Sequence, residues 1–301
     1  MNQILQLEGV VKSYDKQLAV DHVSFNMPEG CIFGLLGPNG AGKTSLIRII
    51  TTITKADAGR VFFNGEALHG DHPAEIGYMP EERGLYKKMK VGEHLLYLAQ
   101  LKGLAYQDAK TEINRWLHKF SIEAWWDKKV EELSKGMQQK VQFIATVLHR
   151  PRLLILDEPF SGLDPINTNL IKTQIRELCA QGASIIFSTH RMEQVEEICE
   201  YIVLINKGKN ILEGRVKDIR NRFKKNLFHI NYEGRLPADI AQRAEIVSQT
   251  DDEITVQLHE PGQSNALLQY LIQSQVQLTS FQEILPSLND IFIAQVGEAN
   301  R

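Results

Sequence analysis

Gly37-Pro38-Asn39-Gly40-Ala41-Gly42-Lys43-Thr44 is the stretch that decides the fold of this 301-residue chain. An apolar run, Cys31-Ile32-Phe33-Gly34-Leu35-Leu36, delivers the chain into it, and Ser45-Leu46-Ile47-Arg48-Ile49-Ile50 continues as an apolar helix. A glycine-rich loop between a strand and a helix is a phosphate cradle. Its glycines let backbone amides converge on phosphate oxygens that side chains would obstruct, and the helix adds its positive N-terminal end. Lys43 has the reach for β- and γ-phosphates, and the Thr44 hydroxyl can ligate Mg2+. Residues Gly37 to Ser45 are therefore the candidate ATP-binding set.

Upstream, Val10-Val11 and then Val23, Phe25 and Met27 on one alternating face read as strands that lead through the turn Pro28-Glu29-Gly30 into the apolar run. Downstream, the continuous run Leu153-Leu154-Ile155-Leu156 reads as a parallel strand covered on both faces, and it ends in Asp157-Glu158. Carboxylates at the C-terminal edge of such a strand lie where these sheets place their ligands. Asp157 can hold Mg2+ through water, which leaves Glu158 as general base for the attacking water.

Between these elements, residues 91–126 carry helical periodicity through Leu95, Leu96, Leu98, Leu101, Ile113, Trp116, Leu117 and Phe120, and read as an inserted helical block. Another helix is expected over 134–148. Ile185-Ile186-Phe187 is a further buried strand, followed by a helix over 192–199. After Gly214 the character changes. Residues 215–225 form a basic helical connector with six Lys/Arg among 11 residues, a pattern that most often marks a solvated face. Strand-like pieces at 227–230 and 254–258 with a helix at 266–272 then suggest a small α+β domain.

The net charge of −3 gives no general reason to expect a nucleic-acid partner. Cys31, Cys179 and Cys199 are spaced unlike metal ligands and are expected to be buried small apolar residues in a reducing compartment. No apolar run reaches the length of a bilayer span, and the N-terminus lacks the pattern of a secretory signal.

Taken in order, the motifs resemble the ATP-binding subunits of ATP-binding-cassette (ABC) transporters over roughly residues 1–214. Tyr14 stands where that family stacks an aromatic ring on adenine. Leu133-Ser134-Lys135-Gly136-Met137 resembles the signature that contacts ATP across a dimer. Ser161-Gly162-Leu163-Asp164 resembles the loop coupling the two sites, and His190 the switch histidine at the γ-phosphate. Pro80-Glu81 occupies the position of the loop that faces the membrane subunit. The resemblance implies an α/β fold: a P-loop ABC ATPase cassette with a RecA-like core sheet, an antiparallel β subdomain and an inserted helical subdomain at about 82–150, plus a small C-terminal α+β domain at 215–301. It implies ATP and Mg2+ as cofactors, Thr44, Asp157 and Glu81 as metal ligands, and Glu158 and His190 as catalytic residues. It also implies a second cassette, expected to be a copy of this chain, that supplies the signature in trans. A separately encoded transmembrane permease would hold the chain at the inner face of the cell membrane, with no nucleic acid involved.

Two positions depart from the family pattern. Lys135 replaces the first signature glycine and puts a cation near a helix N-terminus, where it either meets the bound phosphate or points to solvent. Glu81 replaces a glutamine, adding a negative charge that metal or Arg83 would have to offset. The stretch Met79-Pro80-Glu81-Glu82-Arg83-Gly84-Leu85-Tyr86, with Leu-Ser-Lys-Gly-Met, resembles the ABC-2 branch that includes sodium-extruding Nat-type exporters, whose cassettes commonly carry a small extra C-terminal domain. The expected function is the ATP-hydrolysing subunit of an exporter. The alternatives are a soluble ABC ATPase acting on translation or DNA, and a regulatory scaffold; Glu158 and His190 weigh against the scaffold, and the single cassette and mild acidity against the soluble factor.

Overall fold

Two long antiparallel strands, β1 (Gln3–Tyr14) and β2 (Gln17–Pro28), precede the short, wholly buried β3 (Ile32–Leu36) that ends at the glycine-rich loop. The computed structural model describes every residue except Met1, Lys16, Arg83, Pro261, Asn300 and Arg301. Beyond the loop come α1 (Lys43–Ile50), β4 (Ala58–Phe63), β5 (Glu66–Ala67) and β6 (Ile76–Met79). Three helices follow: α2 (Val91–Leu101), α3 (Tyr106–Lys119) and α4 (Lys135–Val147). The chain then alternates through β7 (Leu153–Asp157), α5 (Pro165–Ala180), β8 (Ser184–Ser188) and α6 (Met192–Ile198) to the hairpin β9 (Tyr201–Asn206) and β10 (Lys209–Arg215).

These strands make two sheets. One is four-stranded and antiparallel in the order β2-β1-β4-β5; the other has six strands in the order β10-β9-β3-β8-β7-β6. In the second sheet β9, β3, β8, β7 and β6 are parallel, and β10 closes an edge antiparallel. Every residue of β3, β7 and β8 is buried, which is why these segments read as unbroken apolar runs rather than alternating ones. The β-sheet core cluster joins Leu5, Leu7, Phe25 and Met27 of the first sheet to Phe33, Ile155 and Ile186 of the second, around Leu46 and Ile50 of α1.

The chain divides into two compact units, one running from Met1 to Val216 together with the last residues from Gln295, the other Lys217–Ala294. The second unit contains most of α7 (Val216–Arg222), then β11 (Leu227–Glu233), β12 (Glu245–Gln249), β13 (Glu253–Gln257), α8 (Ser264–Gln273) and β14 (Gln277–Ile284). Helix α9 (Leu288–Ala299) ends the elements. Its sheet runs β12-β13-β11-β14, all antiparallel, and its own core is built on Ile230, Ile254, Val256 and Leu271.

One expectation is refined and one is corrected. The helical periodicity of 91–126 belongs to two helices: α2 stops at Leu101, a turn follows, and α3 carries Ile113, Trp116 and Leu117 as its buried face. Trp125 lies in a separate 3-10 turn. Cys31 and Cys199 are buried and burial pushes both thiols up, Cys31 to about 12, but Cys179 is only half-buried, its thiol directed at the Gly30 carbonyl 3.4 Å away.

His94, on the first turn of α2, is fully buried with neither ring nitrogen hydrogen-bonded among the described residues. Burial lowers its pKa from 6.5 to about 4. Burial, with Lys102 nearby, does the same to His149. The unfolded chain binds these protons near the ordinary value while the fold resists them, so stability is complete above about pH 6.5 and falls as pH drops toward about 4. The urea midpoint should therefore fall on acidification through this window, and His94→Phe should show a smaller fall. An unchanged fall in the variant would show that His94 is not held neutral.

Candidate nucleotide site

β3 releases the chain at Gly37 against β9, and the backbone turns back at once. At Gly37 the backbone has φ 150°, and a Cβ there would sit 2.1 Å from the Ile205 carbonyl oxygen; at Gly42, φ 108°, it would sit 2.2 Å from that of Ala19. No side chain fits at either point. Gly40 faces open space instead, so the loop keeps one side clear for a ligand. The loop is tied down by Ala41 N–H to Pro38 O at 3.1 Å, and by Gly208 N–H to Ala41 O at 2.9 Å. Gly42 caps α1 without a side chain, which leaves the first amides of that helix free to meet an anion. Lys43 Nζ lies under the loop, donating to Gly37 O at 2.6 Å and Pro38 O at 3.0 Å.

Three carboxylates face this lysine. Burial lowers the pKa of Lys43, and Asp157, Glu158 and Glu81 oppose that effect. Burial raises the pKa of Asp157; the charges of Glu81 and Glu158 add to the rise, while Ser188 and Lys43 counter it. One ammonium among three acids leaves a local excess of negative charge, a donor set suited to a divalent cation. Thr44, Glu81 and Asp157 line a single cavity of about 630 Å3 together with Arg48 and Tyr78. The residues present therefore fit both a triphosphate over the loop and Mg2+ beside it. Arg83, the other candidate to offset Glu81, lies outside the described residues.

Glu158 follows the last residue of β7 with φ 49°, left-handed for a side chain that rarely accepts it, and its amide donates to Ser188 O at 2.9 Å. Its carboxylate is received by the residues leaving β8. Oε1 accepts from the His190 amide at 2.8 Å and from His190 Nδ1 at 2.7 Å, and Oε2 from Thr189 Oγ1 at 3.1 Å. A carboxylate can only accept, so the proton of His190 is on Nδ1 and its Nε2 is the ring nitrogen left for another group. Asp157 is fixed separately, by Ser188 Oγ at 2.7 Å.

The signature opens α4. Ser134 is its N-cap, accepting the Met137 amide at 3.3 Å. Lys135 is exposed on the first turn, while Gly136 and Met137 are half-buried. A Cβ on Gly136 would come 3.2 Å from the Gly162 carbonyl, so the signature packs directly on the loop Ser161-Gly162-Leu163 that precedes Asp164. Asp164 is the N-cap of α5, accepting the Asn167 amide at 2.9 Å, and these hydrogen bonds hold its carboxyl below the usual range. One turn further along α4, Gln139 donates to Pro159 O at 2.9 Å. The signature therefore connects to the segment after Glu158, whereas among the described residues no hydrogen bond joins it to the glycine-rich loop of the same chain. Tyr14 ends β1, 40% exposed, with Lys12 Nζ 5.5 Å from its ring centre.

Over 297 residues the chain is 43% identical to the uncharacterized ABC transporter ATP-binding protein YhaQ of Bacillus subtilis, a match spanning 98% of this chain and 99% of that protein. Residues 20–161 match the ABC transporter family. The chain belongs to the ABC transporter ATP-binding proteins. Residues 214–296 of this ABC protein also match the C-terminal domain of the DrrA1-3-like ATP-binding proteins, which fits the ABC-2-type exporter branch. It is 37% identical over 213 residues to the Nod factor export ATP-binding protein I of Burkholderia thailandensis, covering 70% of each chain. A solved structure of the ATP-binding subunit of an ABC transporter aligns with TM-score 0.69 and 31% identity over 73% of this chain and 93% of its own.

Several residues of the site are absent from the sequence reading. Ser188 and Thr189 orient the two acids, and Gln142 Nε2 holds the Pro80 carbonyl at 2.8 Å, setting the strand end that carries Glu81. Their only signal is adjacency: Ser188 and Thr189 immediately precede His190. Lys43→Ala removes the sole cation of the loop and should lower ATP affinity by at least about a hundredfold, the cost of about 3 kcal/mol of charge-assisted bonding. Equilibrium binding of a fluorescent ATP analogue measures this, and unchanged affinity would refute the cradle assignment.

Proposed function

We propose that this ABC protein hydrolyses ATP to drive an exporter, working as a dimer beneath a separate membrane permease at the inner face of the cell membrane. The observation that carries the reading is the placement of Glu158. Its carboxylate is held at the edge of the cradle by His190 and Thr189, with Asp157 beside it and Lys43 opposite. In this scheme the β- and γ-phosphates lie on the amides of Gly40, Gly42, Lys43 and Thr44 with the Lys43 ammonium, and Thr44 and Asp157 would hold Mg2+, with Glu81 as a further oxygen ligand. Mg2+ supplies charge neutralisation for the leaving phosphates. Glu158 takes the proton of the attacking water, and His190 Nε2 faces the γ-phosphate. Tyr14 stacks on adenine.

Ser134 to Met137 serve the partner's ATP. The free amides of an α4 N-terminus suit an anion, and Lys135 adds positive charge where that anion would lie. ATP between two cassettes thus closes the dimer, and hydrolysis reopens it. Support for a permease comes from a groove of about 260 Å3 lined by Pro80, Leu85, Leu98 and Leu101, continuous with the loop that holds Glu81. Tyr86, Tyr97 and Leu101 are exposed around it, and among the described residues no helix is long and apolar enough to cross a membrane. The export direction rests on relatives such as the Nod factor export protein.

Glu158→Gln keeps the shape of the side chain and removes its basicity. ATP hydrolysis should fall by about a hundredfold or more while ATP binding persists, since general base catalysis contributes 10²–10⁴-fold. The variant should then elute as a dimer in ATP on size-exclusion chromatography. Hydrolysis at the wild-type rate would show that another group is the base.

A further inference from the structure

Outside the nucleotide site, Glu66, His69 and His72 form the single group of three or more His, Cys, Asp or Glu side chains, among the described residues, whose ligand atoms all lie within 4.8 Å of one another. Glu66 opens β5, and the two histidines sit on the short connection from β5 toward β6. His72 is buried, 5% exposed, with its ring edge-on to Phe63 at 5.1 Å. The His69 ring lies over it, 3.8 Å between centroids. Packing fixes one imidazole and places the second beside it, while the Glu66 carboxylate approaches His72 Nε2 at 3.9 Å from the solvent side. Behind His69, the Asp71 amide donates to Nδ1 at 3.4 Å and Asp71 Oδ2 stands 3.7 Å from the same atom, which fixes the ring from that side.

We propose that Glu66, His69 and His72 bind a divalent transition-metal ion of the zinc type. Two imidazoles and one carboxylate with a fourth position open to water is a donor set that borderline ions take and Mg2+ does not. Ligand atoms around a tetrahedral zinc ion stand about 3.3 Å apart, given bonds of about 2.0–2.1 Å. The set must therefore close by roughly 1–1.5 Å. Glu66 and His69, with half or more of each side chain in solvent, are free to make that movement. The nearest guanidinium on β4, Arg60, is already paired with Glu8 at 2.9 Å.

Binding has a structural consequence. His72 Nδ1 accepts the His69 amide at 3.1 Å, so the neutral ring carries its proton on Nε2. A metal bond at Nε2 moves that proton to Nδ1, and the His69 amide must turn away. One hydrogen bond of the turn is exchanged for one metal bond, and the segment ahead of β6 is clamped to the β4–β5 hairpin. β6 leads directly into Pro80 and Glu81 of the nucleotide cavity.

The test uses the full chain, free of any affinity tag, titrated with Co2+ followed by visible absorption and with Zn2+ followed by calorimetry. The expected result is one equivalent bound, with the intense visible bands of four-coordinate Co2+ and no near-ultraviolet thiolate band. Glu66→Gln and His69→Ala, both at exposed side chains, should each weaken binding about tenfold or more and leave the far-ultraviolet dichroism and basal ATP hydrolysis unchanged. Failure of the wild type to take up either ion, or wild-type affinity in either variant, overturns the assignment. Neither outcome bears on Glu158 or Lys43, so the ATPase reading stands or falls separately.

Discussion

Parallel pairing in the six-stranded sheet places the chemistry. Ser188 of β8 is in register with Leu35 of β3 on one side and Asp157 of β7 on the other. Three strands therefore end at one level, and what each chain segment does next happens at the same sheet edge: β3 opens into the glycine-rich loop, β7 into Glu158, β8 into Thr189 and His190. The register also explains why the acids are held by the neighbouring strand rather than by their own. Asp157 and Glu158 both find donors on residues 188–190, and Glu158 returns a backbone bond to Ser188. A slip of one residue between β7 and β8 would turn every side chain to the opposite face and break all of these contacts together.

Electrostatics at this edge is unbalanced by design of the fold. A buried lysine faces three acids, and burial favours the neutral forms of Lys43 and Asp157. The conflict persists because each acid has a different remedy. Asp157 has a hydroxyl, and Glu158 has an amide, an imidazole and a hydroxyl. Glu81, on the loop after β6, has no comparable set of donors among the described residues, and a metal ion beside Thr44 would relieve its charge. Substituting glutamate for the family's glutamine thus changes the charge of the cavity rather than its shape.

The fold was legible where one period dominated a long segment. β3, β7 and β8 announce themselves as unbroken apolar runs because both faces are covered, and α4 and α1 by their apolar stripes. β4 was not, because Ala58, Gly59 and Arg60 at its start are exposed, and neither was the four-residue β6, too short to show a period. The α2–α3 break leaves no mark in the apolar pattern, because apolar residues continue in helical spacing across a turn. Of the candidate site, Lys43, Thr44, Asp157 and Glu158 were readable from local motif and strand end. Ser188, Thr189 and Gln142 were not, since their roles arise from sheet register and from the packing of α4 on the end of β6. Nothing local distinguishes a hydroxyl that orients a carboxylate from one that meets solvent.

The packing of Gly136 on the Gly162 carbonyl ties the start of α4 to the loop ahead of α5, the two segments that the proposed dimer would share between its sites. On one side of that contact, α4 presents a serine-capped N-terminus outward. On the other, the segment from Glu158 through Pro159 to Asp164 runs back to the acids of this chain's own cradle, and Gln139 bonds its start. Ser161 N–H closes on Glu158 O at 3.1 Å, so the segment is a tight turn rather than a slack tether. A ligand that pulls on the α4 N-terminus therefore displaces the same backbone that carries Glu158. Under the proposed function, occupancy across a dimer and the position of Glu158 are in this way one mechanical problem, with the glycine at 136 setting how closely the two segments can approach.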